Sequence, residues 1–316
     1  TLTSSSINFL GVTGSQGVFS SELGPIASAS PDAQMVVGFC QSLVCLKGGD
    51  MVGDPLEMAA FRAAGWTLGK ENKPQPPKSL RASGGCQVAR KLHFNSTVKR
   101  MSVICVNQKG RALVLTKGAP EAVRGLLAEV PGEFDRVHQE LVCLGARVLA
   151  LAYRELPSSL RMFSSLPREE VESELRFCGF ICFSSSVKPD SRSSLLALAR
   201  SSHRLMMITG DNPYTACYVA NQLRMSKVDR TLILSRRGEK WLWVSPDMSA
   251  SLSADTLREL EELGGKFNLC VTGEGMAHCS SVFGSDQWVR NVRIFARMSP
   301  KHKEQVITAL NRSCYT

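Results

Sequence analysis

No apolar run in this chain approaches the length of a membrane span. Stretches such as F-C-G-F-I-C-F (177 to 183) and V-L-A-L-A-Y (148 to 153) fall far short of the ~20 residues a bilayer requires, and the first residues show no signal-peptide pattern. No span is expected here. Paired cysteines are missing as well: eleven cysteines sit apart with no C-x-x-C, and His93, His138, His203, His278 and His302 show no zinc-site spacing. The reading is reduced thiols in a cytosolic setting and no metal site. Nor are aromatics interleaved with the basic residues. The formal charge of +10 is spread along the whole length, which describes a solvated surface and excludes nucleic acid as an expected partner.

What is present is globular composition. With 316 residues, 43% hydrophobic and 21% charged, the chain is long enough for two ordinary domains. The rhythm changes partway along. From about Ser30 to Phe183 helical stretches alternate with strand pairs: a helix near Ala33 to Val44, a turn at Lys47 to Asp50, and a helix after Pro55. Strand patterns follow around Val88 to Phe94, Met101 to Val106 and Ala112 to Thr116, with N-Q-K-G (107 to 110) as a turn, so this half is read as an antiparallel sheet with helices on it. The segment from Glu71 to Gly85 is rich in proline, glycine and polar residues and is read as a mobile surface loop inserted there. From Ser184 onward short apolar strands alternate with polar turns and helices: R-L-M-M-I (204 to 208), T-L-I-L (231 to 234), N-L-C-V (268 to 271) and V-R-I-F-A (292 to 296). That repeat predicts a parallel, doubly wound sheet, which binds ligands at the carboxyl ends of its strands.

Three segments carry candidate chemistry. In M-I-T-G-D-N-P-Y-T-A (207 to 216) a strand ends in Thr209, Gly210 and Asp211 and a helix opens at Pro213. A threonine hydroxyl, a small residue and free amides at a helix start make an anion cradle, although a plain turn with Asp211 or Asn212 as cap explains the same residues. R-M-S-P-K-H-K (297 to 303) repeats the arrangement, with Ser299 able to cap and Lys303 one turn in, either a surface lysine or a phosphate contact. In L-V-L-T-K-G-A-P-E (113 to 121) a strand delivers Lys117 to a turn, where it is either a solvated strand end or faces a phosphate.

Taken together and in order, G-D-P-L-E, F-N-S-T-V-K-R-M-S-V, K-G-A-P-E, G-A-R-V-L-A-L-A, M-I-T-G-D-N-P-x-T-A and F-A-R-M-S-P-K-H-K-E resemble the cytoplasmic part of a P-type ATPase, over nearly the whole chain. The wording V-G-D-P-L-E, S-H-R-L-M-M-I-T-G-D-N and S-P-K-H-K-E is most similar to the type V class, A branch, the endoplasmic-reticulum transmembrane-helix dislocases. S-V-K-P-D-S (186 to 191), where ion-pumping classes usually have D-P-P-R, favours type V over a calcium or proton pump. The resemblance implies an α/β chain: an antiparallel-sheet α+β nucleotide-binding domain (9 to 183, with the loop 71 to 85) inserted into an incomplete haloacid-dehalogenase-like doubly wound domain (1 to 8 and 184 to 316). It implies ATP as ligand, with Mg2+ in the parent protein. Lys117 would lie in the ATP pocket with Gly118 permitting close approach. Phe94, otherwise a core phenylalanine, would stack on adenine. Glu57 would sit near the adenine amino group, Lys99 would be a second pocket lysine, and Arg147 would lie near the phosphates. Thr209, Gly210 and Asp211 would line the phosphorylation site and Lys303 would neutralise the transferred phosphoryl group.

The resemblance also marks what is missing. The family's nucleophile belongs to D-K-T-G-T-L-T, and this sequence starts at its T-L-T, Thr1 to Thr3. The second aspartate motif, G-D-G-x-N-D, is expected just after N-R-S-C-Y-T (311 to 316). The expectation is a region that binds ATP without turning it over, from a multi-pass endoplasmic-reticulum protein whose absent membrane domain meets the transmembrane helices of client proteins. Two other readings stand beside it: a non-catalytic nucleotide-binding regulatory module, and a soluble haloacid-dehalogenase-like phosphohydrolase, against which the missing D-x-D motif argues.

Overall fold

Period-two strands with apolar residues on both sides must be covered on both faces, and the first half of the chain follows that rule. The computed structural model describes residues 2–14, 19–83, 86–156, 166–226, 228, 230–284 and 286–312. Thr1, the end of the proline-rich loop at 84–85, and 313–316 lie outside the described residues. There are two compact units: Ser5–Leu141 with Ala146–Ser186, and Thr1–Ser4 with Val142–Gly145 and Val187–Thr316.

In the order of the chain, the first unit carries β1 (Thr3–Val12), α1 (Pro31–Phe39), β2 (Val44–Cys45), β3 (Met51–Val52), α2 (Pro55–Ala63), β4 (Thr67–Leu68), β5 (Pro74–Gln75), β6 (Cys86–Asn95), β7 (Arg100–Asn107), β8 (Ala112–Gly118), α3 (Pro120–Arg124), α4 (Phe134–Cys143), β9 (Arg147–Glu155), α5 (Arg168–Val171) and β10 (Arg176–Val187). Its main sheet runs β1-β10-β9-β8-β7-β6, antiparallel from β6 to β10. Met101, Val103, Leu115, Leu151 and Phe183 face one core with Val36, Phe39 and Phe61 of α1 and α2. Ile104, Val114, Ala150 and Phe180 face the other, with Val123, Phe134 and Val137. The sheet is thus the middle layer of three.

Local chemistry fixes the helices that reach the site. Ser30 caps α1 by accepting from Ala33 N–H, and Asp54 caps α2 by accepting from Leu56 and Glu57 N–H, each followed by proline at the first helical position. The expected helix to Val44 ends instead at Phe39, because Val44 and Cys45 pair with Val52 and Met51 across the Lys47 to Asp50 turn. The expected mobile loop is also corrected. Thr67 and Leu68 pair with Gln75 and Pro74, a 3-10 segment follows at Lys78–Ser83, and Leu80 is buried in the core beside α1 and α2. Strand pairing at Pro74–Gln75 and the burial of Leu80 seat the described part of a segment that composition alone reads as unpacked.

The second unit carries α6 (Ser191–Arg200), β11 (Met207–Ile208), α7 (Pro213–Gln222), β12 (Thr231–Arg237), β13 (Lys240–Val244), β14 (Ser251–Leu252), α8 (Leu257–Lys266), β15 (Asn268–Thr272), α9 (Gly273–Phe283), β16 (Ile294–Ala296) and α10 (Pro300–Arg312). Its sheet is ordered β11-β16-β15-β12-β13-β14. The first four strands are parallel, as the strand-helix repeat predicts, and Ala216, Cys217 and Ala220 of α7 cover one face while Leu260, Met276, Cys279 and Val306 of α8, α9 and α10 cover the other. Two features differ from the sequence reading. R-L-M-M-I forms a strand only at Met207–Ile208, with a single neighbour among the described residues, and W-L-W-V joins β12 as an antiparallel extension that no strand-helix repeat foretells.

Candidate functional site

Strand register gathers residues that are distant in sequence. Asn95 faces Arg100, Arg100 faces Gly118, Gly118 faces Ala150, and Arg147 faces Phe183. The end of β6, the start of β7, the end of β8 and the start of β9 therefore share one end of the sheet. Phe94, Lys99, Lys117, Gly118 and Arg147 all stand there. Phe94 falls in the irregular stretch between Leu92 and Asn95 and is 64% exposed, so it is not a core residue. Lys117 lies on the face that carries Leu115, Leu151 and Met101, and Arg147 alternates with Leu149 and Leu151 onto the same face.

Glu57, placed at the third position of α2 by the Asp54 cap, reaches down to this face. Lys117 Nζ lies 2.8 Å from Glu57 Oε1, and Glu57 Oε2 accepts from Ser42 N–H at 2.8 Å. The two side chains are only 14% and 11% exposed, so each charge depends on the other. Removing one partner of such a pair costs about 3–5 kcal/mol. Alongside, Lys91 Nζ donates to Gln41 O at 3.1 Å, and Cys40 Sγ donates to Met101 O at 3.2 Å. Burial pushes the Cys40 thiol up to about 12 against the pull of the Lys117 charge, so it is no nucleophile.

Lys99 is held in the left-handed region (φ 52°) by the turn that its N–H closes onto Asn95 O at 2.7 Å, and its ammonium lies 3.3 Å from Glu121 Oε1. A side chain at Gly118 would come within 2.6 Å of Arg100 Cβ and 2.7 Å of Lys99 O. The close approach that this glycine permits is thus made by the start of β7.

A buried carboxylate that the motifs do not include holds this corner together. Glu172 is fully buried, and it accepts from Arg100 Nε at 2.5 Å, from Ser102 Oγ at 2.6 Å and from Arg168 Nε at 2.9 and 3.0 Å. Arg168 also donates to His93 O at 3.2 Å and Arg100 O at 2.9 Å, and Ser102 Oγ lies 2.9 Å from Thr116 Oγ1. Burial pushes the Glu172 carboxyl up, but the bonds from Arg168, Ser102 and Arg100 outweigh it and hold it below its ordinary range. The traces of this network in the sequence are Ser102 and Thr116 inside apolar strands and the four-residue spacing of Arg168 and Glu172.

In the second unit the two helix-start motifs lie side by side. Thr209 N–H donates to Phe295 O at 2.8 Å, Met298 N–H to Thr209 O at 3.0 Å and Arg297 N–H to Asp211 O at 2.8 Å. Thr209 Oγ1 donates to Asp211 Oδ2 at 2.9 Å and accepts from Asp211 N–H at 3.1 Å. Asn212 caps α7 through Thr215 N–H, and Ser299 caps α10 through His302 N–H. Because β11 and β16 are parallel, both turns stand at the carboxyl end of the sheet. The nearest atom to an added side chain at Gly210 is Met298 O at 4.0 Å, so here glycine leaves open space. Lys303, on the first turn of α10, is exposed.

Residues 40–190 match the family described as P-type ATPase, cytoplasmic domain N. The chain is 34% identical over 311 residues to the probable manganese-transporting ATPase PDR2 of Arabidopsis thaliana, covering 98% of this chain and 26% of that protein. It is 34% identical over 329 residues to the endoplasmic reticulum transmembrane helix translocase of Schizosaccharomyces pombe (100% and 27%), and 32% over 297 residues to that of Saccharomyces cerevisiae (92% and 24%). The chain spans about a quarter of the length of these curated relatives.

Proposed function

Since the chain belongs to the P-type ATPase family, in its type V class, A branch, we propose that its first unit binds ATP at the sheet end that holds Phe94, Lys99, Lys117 and Arg147. One observation carries this: the register brings an exposed aromatic ring and three cations, one of them paired with Glu57, to a single end of a sheet. Phe94 stacks the adenine. The Glu57 carboxylate and Lys117 ammonium lie side by side and suit the purine's polar edge, the acid accepting from the amino group and the lysine donating to a ring nitrogen. Lys99, in the turn just before β7, and Arg147 on β9 flank β8 and supply positive charge to the phosphates, and Gly118 keeps β7 and β8 in the register that places them.

The second unit is the larger part of the haloacid-dehalogenase-like phosphorylation domain. Its parallel strands end in the paired turns, as such a domain requires. There the Thr209 hydroxyl and the open backbone at Gly210 receive a phosphoryl group, Asp211 orients Thr209, and Lys303 offsets the charge on the equatorial oxygens. Magnesium would accompany the ATP phosphates. Among the described residues no three histidines, cysteines or acids come together that could hold a metal.

The whole protein, on this reading, lies in the endoplasmic-reticulum membrane with this region facing the cytosol, and couples ATP hydrolysis through an aspartyl-phosphate to removal of transmembrane helices. The names of two relatives support that client, and a third relative's name offers manganese instead. Among the described residues no helix is long and apolar enough to cross a membrane.

Calorimetric titration of ATP tests the site. Phe94→Ala should lose about 1–3 kcal/mol of binding, a weakening of roughly 5- to 150-fold. Equal affinities for wild type and Phe94→Ala would remove the stacking assignment.

A further inference from the structure

Gln41 lies in the short link between α1 and β2, and neither the motifs nor the site described above use its side chain. It is 1% exposed. Its backbone N–H donates to Phe39 O at 3.0 Å, its carbonyl accepts from Lys91 Nζ at 3.1 Å, and its Oε1 accepts from Leu43 N–H at 2.5 Å. Only the amide nitrogen, Nε2, has no acceptor in the protein. A buried amide donor left unpaired is costly, and nearly all such groups find a partner. The indole N–H groups of Trp66 and Trp288 are unpaired too, but those rings pack among other aromatic rings. Gln41 differs in its neighbours.

Those neighbours are the polar groups of the proposed nucleotide site. Ser42, the next residue, donates its N–H to Glu57 Oε2 at 2.8 Å, while Lys117 Nζ lies 2.8 Å from Glu57 Oε1. One oxygen of the carboxylate thus faces the lysine and the other faces the Gln41–Ser42 segment. Lys91 ties that segment to the sheet. It pairs with Val103 as Lys117 pairs with Met101, so both lysines stand on the sheet face that carries Met101 and Val103. Around Glu57 the chain therefore offers an acceptor, Lys117 as one donor and the unpaired Gln41 amide as a second. Adenine presents the complement, an amino group that donates between two ring nitrogens, N1 and N7, that accept. Guanine does not, since it carries a carbonyl in place of the amino group and an N–H at N1. We propose that the Gln41 amide reads the base, donating from Nε2 to the adenine ring nitrogen on the side of the amino group away from Lys117. The inference rests on the ATP site proposed above and names a residue that sets its preference for adenine.

Calorimetric titration of the whole chain with ATP, 1-deaza-ATP and 7-deaza-ATP tests it, because each analogue replaces one of the two ring nitrogens with C–H. Wild type should bind each analogue about two- to ten-fold more weakly than ATP, one lost hydrogen bond apiece. Gln41→Met keeps the length of the side chain without its donor. In that variant one analogue should bind as ATP does, and the other should keep its penalty. The variant also gives up the bond to Leu43 N–H, so circular dichroism must first show that it is folded. The wild-type comparison decides without it: an analogue that binds wild type as tightly as ATP leaves a single ring nitrogen read and overturns the proposal. Two penalties that persist unchanged in folded Gln41→Met overturn it equally. Neither result touches the ATP site, which is tested by Phe94→Ala, whereas no binding of ATP by wild type removes the site and this inference together.

Discussion

Glu172 shows what a single side chain contributes here. It is a buried acid with two guanidinium groups and a hydroxyl around it, and those donors tie α5 to the β6–β7 corner that carries Phe94 and Lys99. Its folded pKa lies below the ordinary 4.5. The sign follows from linkage: the carboxylate's contribution to stability is fully present above the unfolded value and is lost as pH falls through the depressed folded value. Acid titration of the first unit's melting temperature should therefore fall off below about pH 4.5 more steeply in wild type than in Glu172→Gln. At neutral pH that variant should be less stable by about 3–5 kcal/mol, because Arg100 and Arg168 lose their counter-charge. Parallel acid profiles for the two proteins would count against this role. The Lys117–Glu57 pair is the second lesson at this scale. Sequence motifs single out both residues, but only their 2.8 Å contact shows that the lysine's charge is already engaged.

Elements place these residues, and the reasons are local. Asp54 and Pro55 start α2 where they do, so Glu57 falls at the third helical position above β8. Asp54→Ala should cost about 1 kcal/mol of stability and weaken ATP binding by loosening the end of the helix that carries Glu57. Thermal melts together with ATP titration check it, and unchanged affinity would detach Glu57 from the site. The strand ends matter as much. Antiparallel pairing was legible from the alternation of Met101, Val103 and Cys105 with Ser102 and Ile104, and from the N-Q-K-G turn, where Asn107 Oδ1 accepts from Lys109 and Arg111 N–H. The seating of Leu80 and the antiparallel β13 were not legible, because a short apolar segment between turns has no periodicity that distinguishes loop from edge strand.

At the scale of the molecule, two units with separate cores carry separate candidate sites. A ligand that binds one unit stabilises that unit by mass action, by about 2.7 kcal/mol at a hundred times its dissociation constant. ATP should therefore raise the unfolding midpoint in wild type and in Thr209→Ala, and raise it less in Phe94→Ala at the same concentration. An equal shift in Phe94→Ala would place the nucleotide elsewhere.

The sequence by itself determined the two kinds of sheet, the caps and prolines that start the helices, and the family to which the motifs belong, because each of these rests on neighbours a few residues apart. Which charges meet was decided only by the tertiary structure. Register and helix placement set Glu57 against Lys117 and close Arg100, Arg168 and Ser102 around Glu172. Apart from the Arg168–Glu172 pair, four positions apart, such contacts join residues sixty or more positions apart, and their strength depends on distance and burial, which no local pattern encodes.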